Sequence, residues 1–134
     1  MAIWQVPIFL VRNENTGKHL DTNLWEFLDE LMHFFPTEKS WCHSIRQYGK
    51  LDSTCIEINT EDDEIRLRID LRNITKEQLE TIIHFAVSNE LKILRKNEAM
   101  EPTISNFFSI IKESNAYRFI NNPEGYLQDI RTDG

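Results

Sequence analysis

Glycine is scarce in this chain: 134 residues carry four. None stands in a GxGxxG or GxxxxGK[ST] setting, so the backbone cradles that hold nucleotide phosphates have no counterpart. The GxSxG elbow of serine hydrolases is missing as well. The four histidines, His19, His33, His43 and His84, form no HxH or HExxH, and no CxxC pair accompanies them. Neither a metal nor another cofactor is therefore expected. The two cysteines, Cys42 and Cys55, lack both CxxC spacing and a secretory context. Reduced thiols in a cytoplasmic protein are the expectation, with a Cys42–Cys55 disulfide the less favoured alternative. No apolar run reaches the roughly 18 residues of a membrane helix, and "MAIWQVPIFLVRNEN" lacks the basic region of a leader, so no membrane is expected. Positive charge is also short, with 15 Lys and Arg against 22 Asp and Glu, a net charge of −7. That argues against direct nucleic-acid binding, which draws on cations at phosphates. It suits a basic partner, or solubility alone.

What is present is ordinary globular composition, 40% hydrophobic and 28% charged, which predicts one domain over residues 1–134 with its own core. "IWQVPIFLVRN" alternates, placing Trp4, Val6, Ile8 and Leu10 on one face of a strand. Pro7 has no N–H for a ladder, which predicts an edge strand or a bulge. "DTNLWEFLDELMHFFP" predicts a helix capped by Asp21 or Thr22 and ended by Pro36. Its apolar stripe is Leu24, Phe27, Leu28, Leu31, Phe34 and Phe35. Residues 40–72 read as an antiparallel meander of "SWCHSIRQYG", "STCIEIN" and "EIRLRIDLR", joined by "GKLDS" and "TEDDE". Links this short make hairpins.

Thr75 and Gln78 form a capping box for a second helix, with Leu79, Ile82, Ile83, Ala86 and Val87 facing inward. "LKILRKN" predicts another strand. A third helix begins near Pro102 and is expected to bury Ile104, Phe107, Phe108 and Ile111. "SNAYRFINNPEGYLQDI" reads as a short helical extension broken at Pro123, and residues 131–134 as a frayed tail. The order β-α-β-β-β-α-β-α describes an α+β domain, a mostly antiparallel sheet with about three helices on one face.

Chemistry concentrates in "EIRLRIDLRN". Ile65, Leu67, Ile69 and Leu71 alternate with Arg66, Arg68, Asp70 and Arg72, and Glu61, Asp62, Asp63 and Glu64 come just before. One reading makes the polar side a solvated sheet surface, with Glu57 as a cross-strand partner for the arginines. The other makes Arg66, Arg68 and Arg72 a fork of guanidiniums for carboxylates or a phosphate. The acidic run divides in the same way, into a hairpin tip or a lure for a basic cleft. Cys42 and His43, adjacent on a strand, point to opposite faces and form no nucleophile–base pair. His84 is left as a distant candidate partner for Cys42. His33 reads as a partly buried, hydrogen-bonded histidine. Trp25, Tyr117, Arg118 and Phe119 are either anchors of a binding surface or closers of the core.

The stretches "SWCHSIRQYGKLDSTCIEI", "EIRLRIDLR" and "NAYRFINNPEGYL", set in a small acidic α+β chain, resemble immunity proteins of bacterial polymorphic toxins, including contact-dependent inhibition systems. The likeness lies in overall texture along the whole chain. It implies a protein that is not an enzyme and that neutralises a cognate toxin domain by stoichiometric occlusion. Such a toxin is often a nuclease with a basic cleft, which an acidic inhibitor is steered towards. Immunity pairs reach the tightest affinities known. The expected contact set is Glu57, Glu61, Asp62, Asp63, Glu64, Arg66, Arg68 and Arg72. Two other readings stand beside it. One is a small ligand- or anion-binding protein or enzyme at the Arg66/Arg68/Arg72 face, with His43 or Cys42. The other is a regulatory or oligomerising module that uses the strand containing Pro7.

Overall fold

The computed structural model describes residues 2–12, 26–59 and 64–122. In chain order these form β1 (Gln5–Arg12), α1 (Leu28–Phe34), β2 (Thr37–Glu38), β3 (Ile45–Tyr48), β4 (Cys55–Asn59), β5 (Glu64–Asp70), α2 (Lys76–Ser88), β6 (Leu91–Arg95), β7 (Glu98–Met100), α3 (Ile104–Glu113) and α4 (Asn115–Asn121). The fold is α+β: one seven-stranded sheet in the order β2-β3-β4-β5-β1-β6-β7, with every pair antiparallel. The expected meander is present in β3, β4 and β5. Its first strand is shorter than the alternation suggests, because residues 41–44 are bends and turns and pairing starts at Ile45. Two short strands, β2 and β7, extend the sheet beyond the expected set.

Pro7 does not mark an edge of the sheet. β1 lies inside it, between β5 and β6. The Leu71 N–H donates to the Trp4 carbonyl at 3.0 Å, and Trp4 falls opposite Leu71 when the Gln5↔Asp70 register is extended by one residue. That bond sets the phase of the ladder: Val6, Ile8 and Leu10 turn their amides to β5, while Pro7 and Phe9 turn away from it. On that other side β6 reaches only Phe9–Arg12. The β6–β7 hairpin turns at Lys96 and Asn97, both at positive φ (49° and 69°), as a tight two-residue hairpin requires. The missing N–H of Pro7 thus points past the end of its neighbour, where no ladder bond is lost.

Alternation packs one side of the sheet. Val6, Ile8, Leu10, Ile56, Ile58, Ile65, Leu67, Ile69 and Ile93 share a core with Leu31, Phe35, Leu79, Ile82, Phe85, Phe107, Ile111 and Ala116 from the α1 region, α2, α3 and α4. Ile56 faces Leu67 and Ile58 faces Ile65 across β4 and β5, as the meander requires. The Thr75–Gln78 capping box closes with both bonds at 3.1 Å. Thr103 caps α3 and Ser114 caps α4 through their hydroxyls.

The helical stripes are narrower than expected. Phe27, Phe34, Val87, Ile104 and Phe108 are exposed, while Leu31, Ile82, Phe85, Phe107 and Ile111 take the buried side, since a docked helix buries only part of its apolar arc. His33 is exposed too, with its ring edge-on to Phe34. α1 opens at Leu28 after Phe27 in the left-handed region (φ 61°). The expected caps Asp21 and Thr22, together with Leu24, Trp25, Pro123 and the 131–134 tail, lie outside the described residues. Among the described residues, no helix is long and apolar enough to cross a membrane.

Candidate binding face of the sheet

The opposite side of the sheet carries the other half of each alternation: Gln47 on β3, Cys55, Glu57 and Asn59 on β4, Glu64, Arg66, Arg68 and Asp70 on β5, and Pro7 and Phe9 on β1. None of these residues belongs to the helix-covered core, yet several are deeply buried. Two connecting segments cover them, and each treats its arginines differently.

At one end the 50–54 loop folds over the sheet. It leaves β3 through Gly49, whose φ of +83° and close approach to the Thr54 carbonyl exclude a Cβ. The Gln5 side-chain amide donates to the carbonyls of Leu51 and Ser53, and the Trp4 indole N–H donates to the Asp52 carbonyl at 3.2 Å. The Asp70 N–H donates to the Thr54 hydroxyl at 3.0 Å. Arg72 completes this end. Its Nε and Nη2 donate to the two Asp70 carboxylate oxygens at 3.0 and 2.8 Å, Nη2 also donates to the Asp52 carbonyl, and the guanidinium lies 3.8 Å from the centre of the Trp4 ring. Asp70 is 0% exposed. Burial alone would raise its pKa, but hydrogen bonds from Arg72 and Ser53 and the charge of Arg72 outweigh that and hold it below the ordinary carboxylate value. Hydrogen bonding to Asp70 raises the Arg72 pKa in turn.

The other end is built on Glu57 and Trp41. Glu57 is 4% exposed. Its Oε1 lies 3.1 Å from Arg68 Nη2, and its Oε2 accepts the Trp41 indole N–H at 2.8 Å. The ion pair is diagonal, because the residue directly opposite Glu57 is Arg66. Arg66 instead lies over the Phe9 ring, 5.3 Å from its centre; among the described residues no ion pair joins it to a carboxylate. Trp41 remains 67% exposed although its indole is held by a hydrogen bond. Trp41, Ile45, Glu57, Asn59, Glu64 and Arg66 line a notch of about 190 Å³.

The expected site residues therefore separate. Glu57, Glu64, Arg66 and Arg68 come together on this face. Arg72 does not join them: it sits in the turn after β5, bound to Asp70, so the three arginines form no common fork. Glu61, Asp62 and Asp63 lie outside the described residues. Trp41, expected on a strand, stands instead in the bend that precedes β3. The available signal was "KSWCHS", a lone tryptophan among polar residues with no period-2 alternation.

Cys42 and His43 are likewise in the turn rather than on a strand, with Cys42 Sγ 3.1 Å from the Ser44 hydroxyl. His84 lies on α2, its ring 4.1 Å from Phe27, and among the described residues no hydrogen bond joins it to Cys42, whose Sγ is beside the Ser44 hydroxyl. Both thiols are free. Burial pushes the Cys55 thiol up to about 12, with Glu57 adding to the shift and Arg68 opposing it, which leaves it inert at neutral pH. Tyr117 and Arg118 of α4 are exposed and Phe119 is half-buried. Among the described residues no three His, Cys, Asp or Glu side chains gather as metal ligands. The chain matches no family model, and no curated protein and no solved structure matches it.

Proposed function

We propose that this protein is an inhibitory binding protein of the immunity type, acting in the cytoplasm, that occludes a cognate toxin domain with the Trp41 face of its sheet. The observation that carries this reading is Trp41 itself. A large aromatic side chain is 67% exposed, yet its orientation is held by a 2.8 Å hydrogen bond to a buried carboxylate. Exposed aromatics that are rigid before binding, beside arginine, are what binding hot spots are made of, because little conformational entropy is lost on docking. Arg66 supplies the neighbouring guanidinium. The net charge of −7 favours a partner with a basic surface and speeds encounter with it. Glu61, Asp62, Asp63 and Glu64, which join β4 to β5 in the sequence, belong to the same acidic contribution.

The anion-binding alternative would draw on Arg66 alone at this face, since Arg68 and Arg72 are engaged by Glu57 and Asp70. The oligomerising-strand alternative would have only the Gln5–Ile8 stretch of β1 to use, because β6 pairs with the strand from Phe9 to Arg12. The test is to read the neighbouring reading frame for a toxin C-terminal domain and to co-express that domain with this protein. The expected results are a one-to-one complex and loss of toxicity, with both weakened by Trp41→Ala. A neighbouring toxin that remains fully active in the presence of this protein would overturn the reading.

A further inference from the structure

We draw no further inference here: the strongest candidate, the cleft between the Gln5–Pro7 stretch of β1 that β6 does not reach and the junction of α3 with α4, has its charged lining residues Arg95 and Glu113 paired with each other, and nothing in the structure shows what fills it.

Discussion

At the Trp4 end of the sheet face away from the helices, a tryptophan, a buried acid and an arginine close on one another; at the Trp41 end the same three residue types leave the indole in solvent. Arg72 binds Asp70 and stacks on Trp4, while its Nη2 and the Trp4 indole both donate to the Asp52 carbonyl. That cluster fastens the 50–54 loop. Arg68 instead neutralises Glu57, whose other oxygen holds the Trp41 indole N–H. A buried ion pair is a weak source of net stability, because desolvation offsets most of the attraction. Its role is set by what it orients. In one place it orients a loop onto the sheet, and in the other it holds an aromatic ring outward.

The sharpest way to break this comparison is thiol labelling. Cys42 sits beside Trp41 and is half-buried, whereas Cys55 is 0% exposed with its thiol near 12. At neutral pH the two should differ in native-state labelling rate by on the order of a thousandfold or more, with Cys55 reacting only on unfolding. Similar rates would mean that this part of the face is not closed.

Trp41→Ala should cost at least about 2 kcal/mol of affinity for the proposed partner, roughly 30-fold, by calorimetry. Its unfolding free energy should fall by no more than about 1 kcal/mol, because Glu57 Oε2 loses the indole donor while Oε1 stays paired with Arg68. Asp70→Ala should do the reverse. Lost charge-assisted hydrogen bonds destabilise the fold by about 2 kcal/mol, while affinity is retained. If either variant behaves like the other, the two ends do not have separate roles.

The double variant Glu57→Leu/Arg68→Met sharpens the point. Replacing a buried pair by apolar side chains is close to neutral for stability, within about 1 kcal/mol. Trp41 then loses its brace, and affinity should fall by about tenfold, a part of the hot-spot energy. Unchanged affinity would show that the indole needs no brace.

The smallest effect is in pH. The folded-state pKa of Asp70 is depressed, so its contribution to stability is fully present above the unfolded value of about 4 and is lost as pH falls through the folded value. Acid titration of stability should be shallower below about pH 4 in Asp70→Asn than in wild type. Parallel curves would count against the Asp70–Arg72 cluster as the acid-sensitive lock.

Local chemistry made much of the fold legible. Period-2 alternation in "EIRLRIDLRN" assigned Ile65, Leu67 and Ile69 to the core, and Thr75 with Gln78 marked a helix start, because pleat and cap geometry depend on neighbours within a few residues. The position of Pro7 inside the sheet was not legible, since it depends on where the β6–β7 hairpin turns, some 90 residues away. Nor were the widths of the helical stripes: Phe108 has helical spacing for the core but stands exposed beside the buried Phe107, since burial depends on how the helix docks and not on its own spacing.

The sequence by itself determined an α+β chain, its strand faces, its acidic balance and a charged sheet side holding Glu57, Glu64, Arg66 and Arg68. Only the tertiary structure decided which acid met which arginine, because Glu57 lies opposite Arg66 yet pairs diagonally with Arg68. It also decided that Arg72 would close a loop and that Trp41 would stand exposed. Side-chain type is a local property, whereas pairing and exposure depend on strand register and on the loops laid over the sheet.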